Sequence, residues 1–446
     1  MKRYPVYRDS GLAFVEKIPQ HWEAKRAKYC FYEVDERSET GDEELLSVSH
    51  ITGVTPRSEK NITMFMAESY EGYKTCIPND LVINIMWAWM GALGVSKYQG
   101  IISSAYGVYR QKNTNKFYSD YLEYLVRIPE YIAEYTRTSK GIRSSRLRMY
   151  SDDFFQIPII CPLLEEQKTI TRFLDRKLEQ ISHFISNKQR LIELLKEQKT
   201  AIVNHAFTKG FNPNAPMKPS GTKFLGSIPE HWEIKKLKKC IKYGTSISYG
   251  ILQPGNQVDD GVPFIQTTNM TQGNFEISKL QRTDPSIAAM YPRSTLQPGD
   301  IMLGIRATIG DAHIVPSHLS GANLSRGVAR IVPSQEISAN FLVNYLRSAF
   351  VSEYWKFSKQ GTTFSEVSIA TVKELPILIP SLFEQNYITE LIDKKLRPID
   401  RAIAKIEKEI ELIQEYRTTL ISDAVTGKID VRETSVVEST LTAAAI

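Results

Sequence analysis

The sequence predicts an α+β fold, in which two pseudo-symmetric mixed α/β domains are separated by two long antiparallel coiled-coil helices. Two observations predict this fold. The chain has 446 residues, and its second half repeats the motifs of its first half about 220 positions later. Each half also ends in a long segment whose apolar residues are spaced alternately four and three apart, which is the pattern of a coiled-coil seam.

The repeat is carried by short motifs that occur in the same order in both halves. Residues 18–23 (Ile-Pro-Gln-His-Trp-Glu) recur at 228–233 as Ile-Pro-Glu-His-Trp-Glu. Further along the chain, 78–81 matches 298–301 and 157–159 matches 375–377. The spacings of 210, 220 and 218 positions differ by amounts that are typical of loop insertions. The chain therefore consists of two copies of one unit, each a mixed domain followed by a helix.

The boundaries of the two copies follow from these motifs and from local composition. Mixed domains are predicted over 1–160 and 211–380, and the second one begins with a Pro- and Asn-rich linker at 211–217. Helical segments are predicted over 161–210 and 381–428, followed by a tail at 429–446. Within the domains, β-branched and aromatic runs predict strands at 47–54, 81–86, 105–110, 301–305 and 327–332, and helices are predicted at 118–127 and 339–356.

The two helical segments carry matching seams. Two matched seams in one chain most simply pack on each other as an antiparallel pair; the alternative is that each helix only covers its own mixed domain. Both seams hold a cation at the same late position, Lys199 and Arg417. Pro398 lies inside the second seam, where we expect a kink or a restart of the helix. The apolar seam positions are Leu174, Leu178, Ile181, Ile185, Ile192, Leu195 and Ile202 in the first segment, and Ile392, Leu396, Ile399, Ile403, Ile406, Ile410, Ile413 and Leu420 in the second.

Composition excludes several classes of protein. A hydrophobic fraction of 42% and a charged fraction of 24% are those of a folded globular chain, and a net charge of +6 permits a polyanionic partner without requiring one. The four cysteines are too sparse for a disulfide scaffold, and none forms a C-x-x-C pair. The N-terminus has no apolar signal core, and the longest apolar run is too short to span a bilayer. We therefore expect a cytoplasmic protein without a membrane partner.

The ordered motifs resemble the DNA specificity subunit of type I restriction-modification systems. The resemblance rests on the opening motif of each half, on the strings that begin the helices (162–167, Pro-Leu-Leu-Glu-Glu-Gln; 380–385, Pro-Ser-Leu-Phe-Glu-Gln), and on those that end them (206–210, Ala-Phe-Thr-Lys-Gly; 424–428, Ala-Val-Thr-Gly-Lys). It covers nearly the whole chain. Each motif alone is modest, but the ordered set is specific because it occurs twice.

The resemblance implies a division of labour. Each mixed domain would be a target recognition domain that reads one half of an asymmetric, bipartite site in double-stranded DNA. The helices would form a spacer and dock two methyltransferase subunits, and endonuclease/translocase subunits would join the complex. S-adenosylmethionine, ATP and Mg would then be bound by those partners and no cofactor by this chain.

The motifs that are missing agree with a non-catalytic subunit. The sequence contains neither the adenine methyltransferase signature [DN]-P-P-[FYW] nor a G-x-G-x-x-G or P-loop motif. The histidines have no metal-binding spacing, and His21 and His231 belong to the repeated opening motif, which favours a structural role. Two alternatives remain open: a specificity subunit that serves a stand-alone methyltransferase or another phage-defence complex, and a coiled-coil scaffold without a DNA role.

Candidate DNA contacts are polar or basic residues that lie outside the repeated motifs, because base edges and phosphates are bound by such side chains. Each of them could instead be a solvated surface residue; the basic cluster at 140–148 is the best single patch. Trp87 and Trp89 lie in an apolar stretch, where packing in the core is the default and a readout role stays open. The candidates are Lys97, Tyr98, Arg110, Arg143, Arg146 and Arg148 in the first domain, and Arg306, Thr308, Arg326, Lys359, Gln360 and Thr362 in the second.

Overall fold

A computed structural model describes residues 2–60, 69–142, 146–210, 212, 214–222, 225–273, 275–358 and 366–432. The chain forms two units. Unit 1 comprises residues Met1–Lys188 and Lys408–Ile446, and unit 2 comprises Gln189–Glu407. Each unit therefore contains one mixed domain, called domain 1 and domain 2 below, together with one half of each long helix. The helices and strands mix in both domains, as the predicted fold class requires.

The secondary structure of unit 1 begins with a hairpin and ends in the first long helix. Its strands are β1 (Tyr7–Leu12), β2 (Val15–Pro19), β3 (Glu23–Arg26), β4 (Phe31–Glu33), β5 (Leu46–Ser49), β6 (Gly53–Pro56), β7 (Lys74–Cys76), β8 (Leu81–Ile83), β9 (Leu93–Val95), β10 (Gly100–Ile102), β11 (Gly107–Gln111) and β12 (Pro158–Cys161). Its helices are α1 (Ala27–Cys30), α2 (Ser119–Val126), α3 (Pro129–Thr138) and α4 (Ser151–Gln156), and α5 (Leu164–Lys209) continues into unit 2.

Unit 2 repeats this order with small differences. Its strands are β13 (Met217–Pro219), β14 (Ser227–Pro229), β15 (Glu233–Lys236), β16 (Ser248–Tyr249), β17 (Val262–Ile265), β18 (Arg282–Thr283), β19 (Ile301–Gly304), β20 (Ala312–Ile314), β21 (Asn323–Leu324), β22 (Val328–Ile331) and β23 (Pro376–Ile379). Its helices are α6 (Thr267–Gln272), α7 (Pro285–Ala289), α8 (Ala339–Leu346), α9 (Ala349–Ser358) and α10 (Ile369–Glu374), and α11 (Leu382–Val425) ends in unit 1.

Each domain is built on one four-stranded antiparallel sheet. The strand order is β4-β11-β8-β9 in domain 1 and β16-β22-β19-β20 in domain 2. Leu81 and Ile83 of β8 join the core that faces α2, whereas Val82 joins a second apolar cluster on the opposite face. Strand side chains alternate between faces, so a strand with both faces covered reads as an unbroken apolar run. Strand β19 shows the same alternation, with Met302 on the second face.

The long helices pair antiparallel within each unit. In unit 1, Lys188 Nζ donates to Glu409 Oε2 at 2.7 Å, and in unit 2 Lys199 forms an ion pair with Asp400. From the first ion pair to the second, the residue number increases on α5 (188 to 199) and decreases on α11 (409 to 400), so the two helices run antiparallel. Each predicted apolar seam residue is buried or half-buried, and burying a Leu or Ile side chain contributes roughly 1.5–3 kcal/mol.

Three predicted elements differ from the structure. Residues 47–54 form the hairpin of β5 and β6, because Gly53 adopts a left-handed φ of 65° after the turn. Residues 339–356 form α8 and α9, which break at Arg347 and Ser348; Pro129 starts α3 at the equivalent break of domain 1. The expected restart at Pro398 is wrong, since α11 runs through that residue without interruption. The buried Ile399 and the Lys199–Asp400 pair stabilise the helix directly after it.

Each mixed domain holds the end of one long helix. Trp22 and Trp232 are fully buried. In unit 1, Tyr121 Oη donates to the carbonyl of Val425 at 3.0 Å, at the end of α11. In unit 2, the ring of Phe207 near the end of α5 packs edge-on against Phe341 at 5.2 Å. Domain 1 therefore binds the end of α11, and domain 2 binds the end of α5.

Candidate nucleic-acid interface

Two loops meet beside the sheet of domain 1. The first joins β8 to β9 and is called the hairpin loop (84–92); the second follows α3 and is called the basic loop (140–149). The backbone N–H of Met149 donates to the carbonyl of Ile85 at 2.9 Å, which ties the two loops together. Within the basic loop, Lys140 and Arg148 exchange two backbone hydrogen bonds, each of 2.9 Å. Arg148, which directly precedes Met149, therefore lies near the junction of the two loops.

The hairpin loop is held by its own polar groups. Asn84 Oδ1 accepts from the backbone N–H of Met86 at 3.2 Å, and Asn84 Nδ2 donates to Tyr106 Oη at 3.0 Å. Trp89 Nε1 donates to the carbonyl of Met86 at 2.9 Å. Gly91 has a φ of 82°, and a Cβ there would lie 2.8 Å from Ile132 Cδ1 of α3. These contacts fix the loop against the domain.

Trp87 is only half covered by domain 1. Its side chain is 50% exposed and that of Met90 is 39% exposed, whereas Trp89 is half-buried and hydrogen-bonded. The default expectation that both tryptophans pack in the core is therefore wrong for Trp87. The apolar composition of the stretch suggested burial, but half of the Trp87 surface is exposed.

The basic loop supplies the positive charge. Arg146 and Arg148 are exposed, and Arg143 lies outside the described residues. Lys140 Nζ lies 2.7 Å from Asp153 Oδ1 of α4, and this hydrogen bond raises the pKa of Lys140 above its ordinary value. The two arginines are the cations that a phosphate could reach.

Domain 2 repeats the junction of the two loops. The backbone N–H of Val367 donates to the carbonyl of Ile305 at 2.9 Å, in the same place as the Met149–Ile85 bond of domain 1. Arg306 Nε lies 3.8 Å from Glu366 Oε2 beside this junction. The other predicted contacts of this second loop, Lys359, Gln360 and Thr362, lie outside the described residues.

The loop between β19 and β20 differs in its side chains from the hairpin loop. Its exposed tip is Ala307, with a φ of 59°. The hydroxyl oxygen of Thr308 is buried, and a Cβ on Gly304 would lie 2.7 Å from it. We therefore leave Thr308 out of the proposed interface, because its hydroxyl faces the loop's own backbone.

Arg326 extends the polar surface of domain 2. Arg326 is exposed and precedes Gly327, where a Cβ would lie 3.6 Å from Arg306 Cβ and 2.6 Å from Thr267 Cγ2. Arg306, Arg326 and the start of α6 therefore lie together. Sequence reasoning missed α6, where the exposed Thr268 follows Thr267. The polar run at 266–269 (Gln-Thr-Thr-Asn) was the signal that could have indicated it.

Arg110 belongs to the framework of domain 1. Its Nε and Nη2 donate to Asp80 Oδ1 and Oδ2 at 2.8 and 2.9 Å, and the Asp80 side chain is only 1% exposed. Arg330 Nε donates to Asp300, which is also buried, at 2.6 Å in domain 2. We therefore leave Arg110 out of the proposed interface, since its guanidinium neutralises a buried carboxylate. The sequence repeat indicated this ion pair, because Asp80 and Arg110 recur 220 positions later as Asp300 and Arg330.

Lys97 and Tyr98 lie away from the two loops. They follow β9 at the end opposite to the hairpin loop. Lys97 Nζ is 3.0 Å from Asp120 Oδ1, and this hydrogen bond raises the pKa of Lys97. Carboxylates outnumber cations in the cleft that Lys97 lines, so it disfavours a phosphate. The charged residues of this cleft are Lys97, Arg127, Arg417, Asp120, Glu123, Asp175 and Glu179.

The histidines of the opening motifs are bound to the starts of the long helices. His21 Nε2 lies 2.9 Å from Glu166 Oε2, and His231 Nε2 lies 3.0 Å from Glu384 Oε2. Both carboxylates are buried, so the pairs anchor each helix to its domain. Among the residues that the structure describes, no group of three or more His, Cys, Asp and Glu side chains is arranged to hold a metal ion. Within the same residues, no helix has the length and hydropathy that crossing a bilayer requires.

Comparison with known proteins shows the family. The model of the type I restriction modification DNA specificity domain matches residues 25–197 and 229–412. The protein named as the MjaX specificity subunit of a type I restriction enzyme from Methanocaldococcus jannaschii is 30% identical over 331 residues, which are 72% of this chain and 70% of that protein.

Two solved structures share the fold. One comes from work on complex assembly and conformational transition of the type I restriction-modification system; it has a TM-score of 0.66 and 16% identity, and the match covers 92% of this chain and 99% of that one. The other is the HsdS subunit from Thermoanaerobacter tengcongensis, with a TM-score of 0.52, 16% identity, and coverage of 92% and 98%. The chain belongs to the type I restriction-modification specificity family, and it is the non-catalytic, DNA-recognising subunit of such a system.

Proposed function

We propose that domain 1 and domain 2 each read one half of an asymmetric, bipartite DNA site. The observation that carries this proposal is the junction of two loops, which both domains form through matched backbone hydrogen bonds, Met149 to Ile85 and Val367 to Ile305. The framework is equivalent at this junction, but the exposed side chains differ. Two different readers on one framework should recognise two different sequences.

The charge of these loops suits a nucleic acid. Arg146 and Arg148 in domain 1, and Arg326 in domain 2, are exposed cations beside loops that carry readout candidates. Cations of this kind bind phosphates and set the position of a protein on the duplex, whereas neighbouring groups read base edges. The proposed interface therefore combines both functions in each domain. Arg143, Lys359, Gln360 and Thr362 stay predictions of the sequence.

The helix pair is the proposed spacer of the complex. We infer that it separates the half-sites by a fixed gap and docks two methyltransferase subunits, through which endonuclease/translocase subunits join. The antiparallel seam supports this role, because two long helices with matched apolar faces form a stiff connection. S-adenosylmethionine, ATP and Mg would be bound by the partners. The four cysteines are free and buried, which agrees with a protein that acts in the reducing cytoplasm.

Exchange of one domain tests the modular reading. Residues 218–380 would be replaced by the corresponding segment of a specificity subunit that directs methylation to another sequence, and N6-methyladenine would be mapped across the genome. We expect one half of the methylated motif to change and the other half to persist. The reciprocal exchange of residues 1–160 is the matched control and should change the opposite half. A change in both halves after either exchange would contradict the proposal.

The same mapping separates this function from that of a coiled-coil scaffold. A bipartite methylated motif that disappears with the gene supports the specificity role, whether or not an endonuclease subunit is present. A coiled-coil scaffold without a DNA role predicts that no methylated motif depends on the chain.

A further inference from the structure

We propose that Trp87 is a specificity-determining residue of domain 1, whose indole contacts the methyl group of a thymine in the DNA half-site of that domain. This inference rests on the proposed function, and it assigns a base contact to one side chain. Trp87 lies outside the framework motifs, because the equivalent position in domain 2 is Ala307.

The structure presents Trp87 rigidly on a fixed loop. Its backbone N–H donates to the carbonyl of Asn84 at 3.0 Å, and its carbonyl accepts from the N–H groups of Met90 and Ala92 at 2.9 and 3.1 Å. The backbone is therefore bonded on both sides while half of the indole surface faces solvent. A site that recognises a ligand gains affinity when its contact groups are already held in place.

The surroundings of Trp87 favour double-stranded DNA as the partner. Arg148 directly precedes Met149, whose N–H bonds to Ile85 two residues before Trp87, so an exposed cation and an exposed indole share one edge of the domain. Met90, from the same loop, adds a second exposed apolar side chain. Apolar groups beside an arginine fit a polyanion that also presents apolar groups, which is the surface of a duplex groove.

The chemistry of the groove selects the base. On the edges of the base pairs, the C5 methyl of thymine is the apolar group that the major groove displays, whereas the other groups are hydrogen-bond donors and acceptors. An indole face can therefore distinguish thymine from cytosine or uracil by this methyl group. Domain 2 has the smaller Ala307 at the equivalent position, so the two domains present different apolar groups there.

Replacement of thymine by deoxyuridine tests the contact, because it removes the methyl group and keeps the base pair. The chain would be bound, together with its methyltransferase subunits, to duplexes that carry the motif mapped by methylation, with each thymine of the two half-sites replaced in turn. We expect one deoxyuridine in the half-site of domain 1 to weaken binding of the wild-type protein about threefold to tenfold, as loss of one apolar methyl contact predicts. The same replacement should leave the affinity of Trp87→Ala unchanged.

Controls separate the contact from a loss of folding. Trp87→Phe keeps an apolar ring and should retain part of the deoxyuridine effect, while Tyr243→Ala removes a fully exposed aromatic side chain from domain 2 and should retain all of it. Replacements in the half-site of domain 2 should weaken both Trp87→Ala and the wild type to the same extent. If Trp87→Ala keeps the full deoxyuridine effect, or if affinity falls equally on every duplex, the thymine contact is wrong. Either result leaves the proposed function intact, because the methylated motif itself reports that function.

Discussion

Trp22 packs against Gly427 so closely that a Cβ on the glycine would lie 3.0 Å from the indole Cη2 and 2.4 Å from Pro19 Cδ. Gly427 has a φ of 78° just after the end of α11. Gly210 stands in the same relation to Trp232 after the end of α5, at 3.0 Å from Cζ2. The repeated tryptophan thus explains why each helix is followed by a glycine.

Substitution of Gly427 should lower the free energy of unfolding by more than its backbone conformation alone explains. Gly427→Ala must adopt a left-handed φ and also displace Pro19 or Trp22, whereas Gly244→Ala has a similar φ of 77° and no atom within 4 Å of the new Cβ. We expect Gly427→Ala to lower the free energy of unfolding by about 1–3 kcal/mol more than Gly244→Ala. Urea unfolding of both variants measures the difference, and equal losses would contradict the packing argument.

The Asp80–Arg110 pair should affect stability and leave specificity unchanged. Arg110→Ala leaves the buried Asp80 carboxylate without its guanidinium partner, so we expect the free energy of unfolding to fall by about 2–4 kcal/mol. Glu193→Gln removes a charge from the exposed Arg190–Glu193 pair and is the control, with an expected effect below about 0.5 kcal/mol. The methylated motif should stay the same in both variants. If Arg110→Ala changed the methylated motif, the prediction would be wrong and Arg110 would contact DNA.

His313 should make unit 2 less stable at acidic pH. Its Nδ1 lies 3.1 Å from Arg347 Nη2, and its Nε2 lies 3.0 Å from Asp311 Oδ1. Burial lowers the pKa of His313, and Arg347 lowers it further, against the opposing effect of Asp311. The unfolded chain then binds a proton more readily than the folded chain, so stability falls as the pH drops through the unfolded pKa of about 6.5.

Unfolding in urea at pH 7.5 and pH 5.5 measures this dependence. We expect the free energy of unfolding to fall less over this range in His313→Gln than in the wild type. His318→Gln, which changes an exposed histidine of the same domain, should fall as the wild type does. Equal losses in all three proteins would show that His313 does not contribute.

Arg146 and Arg148 should contribute to affinity without selecting a sequence. We expect Arg146→Ala and Arg148→Ala to weaken binding to all duplexes alike, and each lost phosphate contact should reduce the slope of log affinity against log salt by about 0.9. Lys17→Ala removes an exposed cation from β2 and should leave the slope unchanged. Titrations at several salt concentrations measure it, and an effect confined to one sequence would instead assign the arginine to a base.

The length of the helix pair should set the gap between the half-sites. Seven residues would be inserted into α5 and into α11 at the same level of the seam, close to the Ile192 and Ile406 positions, which keeps both apolar faces aligned. At 1.5 Å per residue and 3.4 Å per base pair, we expect the gap of the methylated motif to grow by about three base pairs. An insertion into α5 alone breaks the register and is the control, for which no new motif is expected. An unchanged gap after the double insertion would contradict the spacer role.

The sequence predicted the elements whose signals are periodic or repeated. Spacing along the sequence predicted the seam residues, the two domains and the structural role of His21 and His231. Such spacing can be recognised without knowledge of the fold. The exposure of Trp87 could not be predicted in this way, because its neighbours in the sequence are apolar and no repeated motif includes it. Arg110 was predicted as a DNA contact because the residue type alone does not show its ion pair with Asp80, although both residues recur 220 positions later as Arg330 and Asp300.

Because Tyr121 contacts Val425, the order of synthesis affects when domain 1 can complete its core. Unit 2 is one continuous segment, Gln189–Glu407, so its core can form before synthesis of the chain is complete. Unit 1 needs the end of α11, which is made more than 200 residues after the first half of its core. At synthesis rates of 5–20 residues per second, domain 1 waits roughly 10–50 s for that helix. The half of the protein that emerges first is therefore the half that completes its core last, because Trp22 lacks its contact with Gly427 until the end of α11 is made.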